Sequence, residues 1–295
     1  MLWVVFSILA ALLWGMVNIV DKFIFTKWVS NPWIPVLISG VVGVLASAIV
    51  YEIKGFSTLS YTHLFLAFLA GTFHLLINVF YFKAVKIEEI SRVVPLFYVA
   101  PLFVAILAAF FLGEIFTLLT YIGIFFLVGG AILISSKTSV SFKMGKAFWF
   151  MILSSLAVSV NLVITKYLLS FADFWSVFSY IRIGAFLALI PVWYFNFQDL
   201  VSTVNEYGKK VVGVIALDES LTLTGILFLT IAMATGYVTL VNALTSIQPF
   251  FVLLSALLLS LFYPWILKEE IGKPAILLKF FAILSMFIGA LLITS

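Results

Sequence analysis

The chain has 295 residues, of which 65% are hydrophobic and only 9% charged. Soluble domains run at about 45–50% apolar and about 25% charged, so a water-soluble fold is excluded: so few charges do not cover that much apolar surface. The absence of cysteine excludes disulfides, thiolate metal sites and cysteine nucleophiles, and the net charge of +4 comes from lysines in loops beside apolar runs, which suits anionic lipid headgroups rather than nucleic acid.

A helix crossing a hydrocarbon core about 30 Å thick needs about 20 apolar residues. The apolar runs are long and lack the alternation of barrel strands, and lipid requires every backbone group to pair internally. Helical spans are therefore expected near 2–20, 33–51, 62–82, 92–112 and 117–135, then 147–169, 174–195, 211–233, 236–262 and 275–294. This is an all-α integral membrane protein of about ten transmembrane helices. The first run has no basic leader and ends in Asn18, Asp21 and Lys22 rather than a small-residue cleavage site, so it reads as a permanent span.

The stretch 137–146 is the most polar near the midpoint and reads as a linker between units 1–136 and 147–295. An offset of 148 residues places Pro101 on Pro249, Ala84 on Ala232, Phe103 on Phe251 and Ala108 on Ala256. The proline match carries most weight, because an interior proline costs a helix about 3 kcal/mol. Both halves also close alike, Gly130 to Ser136 resembling Gly289 to Ser295. A unit of five spans begins on one side and ends on the other, so its tandem copy enters inverted, which is a known transporter plan.

Polar groups inside spans are costly and usually face the bundle interior or a wet cavity. In the first span Asn18 is the cavity candidate, while Asp21 and Lys22 either join it or end the helix at the interface. In the third, His74, Asn78 and Tyr81 share one face and line a cavity or glue helices together. The sixth span carries Asn161, with Thr165 and Lys166 near its end; the seventh carries Arg182. Asp218 and Glu219 read either as acids inside the eighth span, able to couple transport to protons and near enough in depth to pair with Arg182, or as part of the loop holding Lys209 and Lys210. Asn242 and Gln248 precede Pro249, and Pro95 and Pro101 mark the matching place in the fourth span, so both helices are expected to break there and line a substrate site. The expected substrate cavity thus comprises Asn18, His74, Asn78, Tyr81, Asn161, Arg182, Asn242 and Gln248.

Leu12–Gly15 in the first span, Pro101 followed by Phe111–Glu114, and the glycine-rich stretch Gly123 to Gly130 together resemble the drug/metabolite transporter superfamily, specifically proteins with two EamA domains. In the second half, Pro249 and Glu269 or Glu270 follow the pattern more loosely, and Leu261–Pro264 replaces the compact Leu–Gly–Glu. The resemblance spans nearly the whole chain. It implies a secondary carrier or exporter of small metabolites or amino acids, a central cavity between the repeats, alternating access, and no ATP hydrolysis.

The expected partners are a small-molecule substrate and the lipid bilayer, with the chain a monomer or homodimer. No cofactor or metal is expected: two scattered histidines and no cysteine offer no metal cluster, and no GxSxG motif suggests an intramembrane enzyme. A lipid-linked sugar flippase is the alternative within the same superfamily. Both termini are expected on one side of a cell membrane. Lysines and arginines gather after odd-numbered spans, which by the positive-inside rule puts the termini outside the cytoplasm, whereas the resemblance implies termini inside.

Overall fold

A computed structural model describes residues 2–29, 31–85, 87, 95–135, 145–262 and 273–294. Its helices are α1 (Leu2–Lys27), α2 (Trp33–Lys54), α3 (Tyr61–Val85), α4 (Ala100–Leu112), α5 (Leu118–Ser135), α6 (Lys146–Leu168), α7 (Phe174–Tyr207), α8 (Lys209–Thr235), α9 (Val238–Thr245), α10 (Gln248–Phe262) and α11 (Lys273–Thr294). Among the described residues nine segments are long and apolar enough to cross a membrane, with Leu278–Thr294 a shorter apolar helix. Pro95–Leu112 forms the fourth span, and Val238–Leu258, from α9 and α10, forms the ninth. The chain is a multi-pass membrane protein whose described elements are all helices.

Two boundaries differ from the sequence expectation, and a third decides between its two readings. Helix α1 continues through Asp21 to Lys27, so Asp21 is not a helix-ending residue. Helix α8 begins at Lys209, which places Asp218 and Glu219 within it rather than in a loop. Helix α7 runs 34 residues, to Tyr207, about 50 Å at 1.5 Å per residue. It therefore outreaches a hydrocarbon core of about 30 Å. Only Gly208, at φ +81°, separates α7 from α8; glycine takes that left-handed conformation without a steric penalty.

The helix contacts repeat when the halves are exchanged. Helix α1 packs on α8 as α6 packs on α3; α1 meets α10 as α6 meets α4; α2 meets α8 as α7 meets α3. Helices α2 and α7 pair with each other, as do α5 and α11. The fourth and ninth spans break alike. Tyr98 and Val99 form a turn whose N–H groups reach Pro95 and Leu96, and Ser246 and Ile247 do the same toward Ala243 and Leu244, at the 148-residue offset.

Lipid tails are as apolar as the side chains, so helices associate through close packing, which small residues permit. At the α3–α7 crossing, a Cβ on Gly71 would stand 2.6 Å from the Gly184 carbonyl carbon and 2.8 Å from the Ile181 oxygen. Both are backbone atoms, so no rotamer change relieves the clash. Gly71→Leu is expected to lower stability by at least about 1–3 kcal/mol and to reduce the monodisperse fraction after detergent extraction. Gly213→Leu, where an added Cβ meets nothing within 4 Å, is the control; equal behaviour of the two variants would contradict the crossing.

Outside the spans, Asp173 ties the α2–α3 loop to the start of α7. Its Oδ1 accepts from the Trp175 and Ser176 amides at 2.9 and 3.1 Å, and its Oδ2 from the Ser57 and Ser176 hydroxyls at 2.6 and 2.7 Å. Slight burial pushes this carboxyl up, but the hydroxyls and amides outweigh it and hold Asp173 below the ordinary carboxylate range. Its stabilisation is thus present above the unfolded-state pKa and lost as pH falls through the lower folded value. Asp173→Ala is expected to cost about 1 kcal/mol as a lost helix cap. The melting-temperature gap between wild type and Asp173→Asn is expected to narrow on acidification from pH 7 to pH 3; a constant gap would show that the charge contributes nothing.

Candidate functional site

The buried polar groups fall at three depths. On the face where the chain begins, here the terminal face, Glu114 is 4% exposed and holds the start of α9. Its Oε1 accepts from the Val238 amide at 2.9 Å, and its Oε2 from the Thr239 amide at 3.0 Å and hydroxyl at 2.7 Å. Gly113, at φ +69°, turns the chain so that Glu114 points inward. Lys166 donates from Nζ to the carbonyls of Met233 at 2.7 Å and Gly236 at 2.8 Å. A cation thus meets the carboxyl end of α8 and an anion the amino end of α9, each complementing its helix dipole.

At mid-depth lies Arg182, 6% exposed. Its stem rests on Gly43, near the middle of α2, where a Cβ would be 3.5 Å away. Its Nη1 is 3.5 Å from His74 Nε2. Arginine only donates, so this contact requires the histidine proton on Nδ1. Asn161 donates to the Ala70 carbonyl at 2.6 Å, and Asn78 to the His74 carbonyl at 3.1 Å. Among the described residues no acid pairs with Arg182, and Asp218 is not its partner.

Nearer the far face is a group of acids. Helices α1 and α8 run antiparallel: Trp3 lies against Gly236, and the Trp14 indole covers Gly225 and donates to the Thr222 carbonyl at 3.2 Å. Asp21 and Asp218 each lie seven residues farther along, about 10 Å toward the far face. Their carboxyl groups face each other across the contact. Asp218 is 3% exposed and its Oδ1 has no partner. Glu219 stands beside them, turned toward Ser39 of α2. Tyr81 is an electrostatic neighbour of Asp21 and also of Tyr98, in the turn that breaks the fourth span. Tyr81 therefore lies within electrostatic range of both that break and the acid of the first half. Among the described residues no group of histidines and acids is arranged to hold a metal ion.

Of the residues expected to line a cavity, His74 and Arg182 come together, and Asn161 lines the same small cavity as Arg182. Tyr81 joins the acid group. Asn18, one turn before Asp21, is exposed. Asn242 and Gln248 flank the ninth-span break, half-buried, and the Asn242 Oδ1 has no partner. Pro95, Pro101 and Pro249 sit at the two breaks. Glu269 and Glu270 lie outside the described residues. Sequence reasoning missed Ser39 and Tyr98, each a single polar group in an apolar run with no pattern to mark it. Asp21 was legible through its helical spacing from Trp14 and Asn18.

Residues 1–136 match the sequence profile of the EamA-like transporter family. A comparison with curated proteins gives no match. A solved structure described only as "Crystal structure of protein" is similar over 98% of this chain and 96% of its own, with a TM-score of 0.75 at 16% identity, a likeness of fold alone. Over residues 1–136 the chain is thus similar to the EamA-like transporter family, a family of membrane transporters.

Proposed function

We propose that this protein is a secondary transporter that exports small metabolites or amino acids by alternating access between two inverted EamA-like repeats, 1–136 and 147–295, joined by a linker at 137–146. The observation that carries the reading is the meeting of Asp21 and Asp218, one acid from each half, on the α1–α8 contact. Two facing carboxylates repel unless a proton or cation is shared between them. A rocking motion of one repeat against the other changes their separation and so exchanges that proton. Asp218 and Glu219 are the coupling acids in this reading; Asn18, His74, Asn78, Tyr81, Asn161, Arg182, Asn242 and Gln248 supply the substrate path. With the lysine count as guide, the far face is cytoplasmic, and the acid group lies toward the mouth where an exporter loads.

The test is flux from proteoliposomes loaded with mixed amino acids and small metabolites, with and without a pH gradient, read by mass spectrometry. Selective loss of one compound class, enhanced by the gradient, is the expected result. No flux above empty liposomes from folded protein would overturn it and turn attention to a lipid-linked substrate.

A further inference from the structure

Arg182 is a cation at the middle of a membrane protein with no anion beside it among the described residues. Burying an unpaired charge is costly, and an ionisable group at this depth generally marks a ligand or ion path. Its Nε–H is buried and without a partner, and its described side-chain contact is to a histidine. Beside it lies a cavity of about 20 Å³ between α6, α7 and α8, lined by Arg182, Asn161, Thr165, Phe178, Thr230 and Met233, with room for about one water. The polar neighbours are already engaged. Thr165 donates its hydroxyl proton to the Asn161 carbonyl, Thr230 to that of Ile226, and Asn161 its amide to Ala70. Arg182 lines this space, and its Nε–H is a buried donor without a partner.

We infer that Arg182 is the anion subsite of the transport path and that the solute carried bears a carboxylate, which the guanidinium fork engages as the cavity opens. This rests on the transport reading above and narrows its substrate class. A planar carboxylate matches the two-pronged guanidinium geometry, and a lysine at this position would supply a point charge without the fork.

The experiment has two arms. In detergent, melting temperatures of the full chain are compared in sodium acetate, acetamide and sodium chloride at matched ionic strength. In proteoliposomes, flux of leucine is compared with flux of leucinamide. Wild type is expected to be stabilised by acetate above chloride and acetamide, and to prefer leucine by about tenfold or more, the worth of a charged hydrogen bond. Arg182→Lys is expected to weaken both preferences, and Arg182→Gln to remove them. Equal stabilisation by chloride, or a preference unchanged in Arg182→Gln, overturns the subsite. Should Arg182→Gln fail to fold, the wild-type panel and Arg182→Lys decide: a wild type indifferent to the carboxylate overturns the inference. Flux without any carboxylate preference leaves transport standing and removes the subsite. Arginine-dependent stabilisation by acetate with no flux keeps the subsite and removes transport.

Discussion

Asp218→Asn is expected to abolish the response of flux to a pH gradient while leaving the fold intact. The carboxyl of Asp218 is almost wholly buried, faces Asp21 from the other half, and has one oxygen without a partner. An asparagine amide fills the same space and can donate to Asp21, so packing is preserved, but it does not take up and release a proton. One pH unit is worth about 1.4 kcal/mol per proton, about tenfold in accumulation. Wild-type accumulation is expected to rise toward that limit with a one-unit gradient, and the variant to give a ratio near one. Asp21→Asn is expected to behave alike, because the proton belongs to the pair rather than to either residue. Retained gradient stimulation in both variants, with the melting temperature unchanged, would remove the acid pair from the coupling mechanism.

The largest stability loss is expected for Glu114→Ala. Truncation leaves the Val238 and Thr239 amides and the Thr239 hydroxyl without their acceptors and deprives Lys166 of its neighbouring countercharge. Each buried group left unsatisfied costs about 1–3 kcal/mol, so the sum over three groups is on the order of 3–9 kcal/mol. Glu114→Gln keeps one acceptor oxygen and is expected to lose roughly half as much. Thermal unfolding in detergent checks both. A drop of less than about 1 kcal/mol for the alanine variant would mean that water or a rearranged loop takes over the cap. Because Glu114 and Lys166 grip the two sides of the α8–α9 connection, the variant is also expected to slow any cycle that moves α9 as a unit.

The motif around Glu114 was visible in the sequence, but its partners were not. Nothing in Phe111–Glu114 says that the carboxylate will meet an amide 124 residues away in the chain. The same holds for Lys166, which sequence position alone would send to the headgroups, whereas the fold gives it two carbonyls. Asp218 and Arg182 have compatible depths by residue counting, yet they take different partners, because depth along an axis carries no information about which faces of which helices meet.

What the sequence determined by itself was the solvent, the helical class and the places where two spans break. Those properties follow from local chemistry: apolar runs long enough for a bilayer, backbone groups that must pair internally in lipid, and prolines at a common offset. What only the tertiary structure decided was which polar residues from distant helices share a site. That depends on helix rotation and neighbour choice, set here by close packing at glycines such as Gly71 and Gly225, and lipid supplies no hydrophobic drive that would make those choices readable from polarity along the chain.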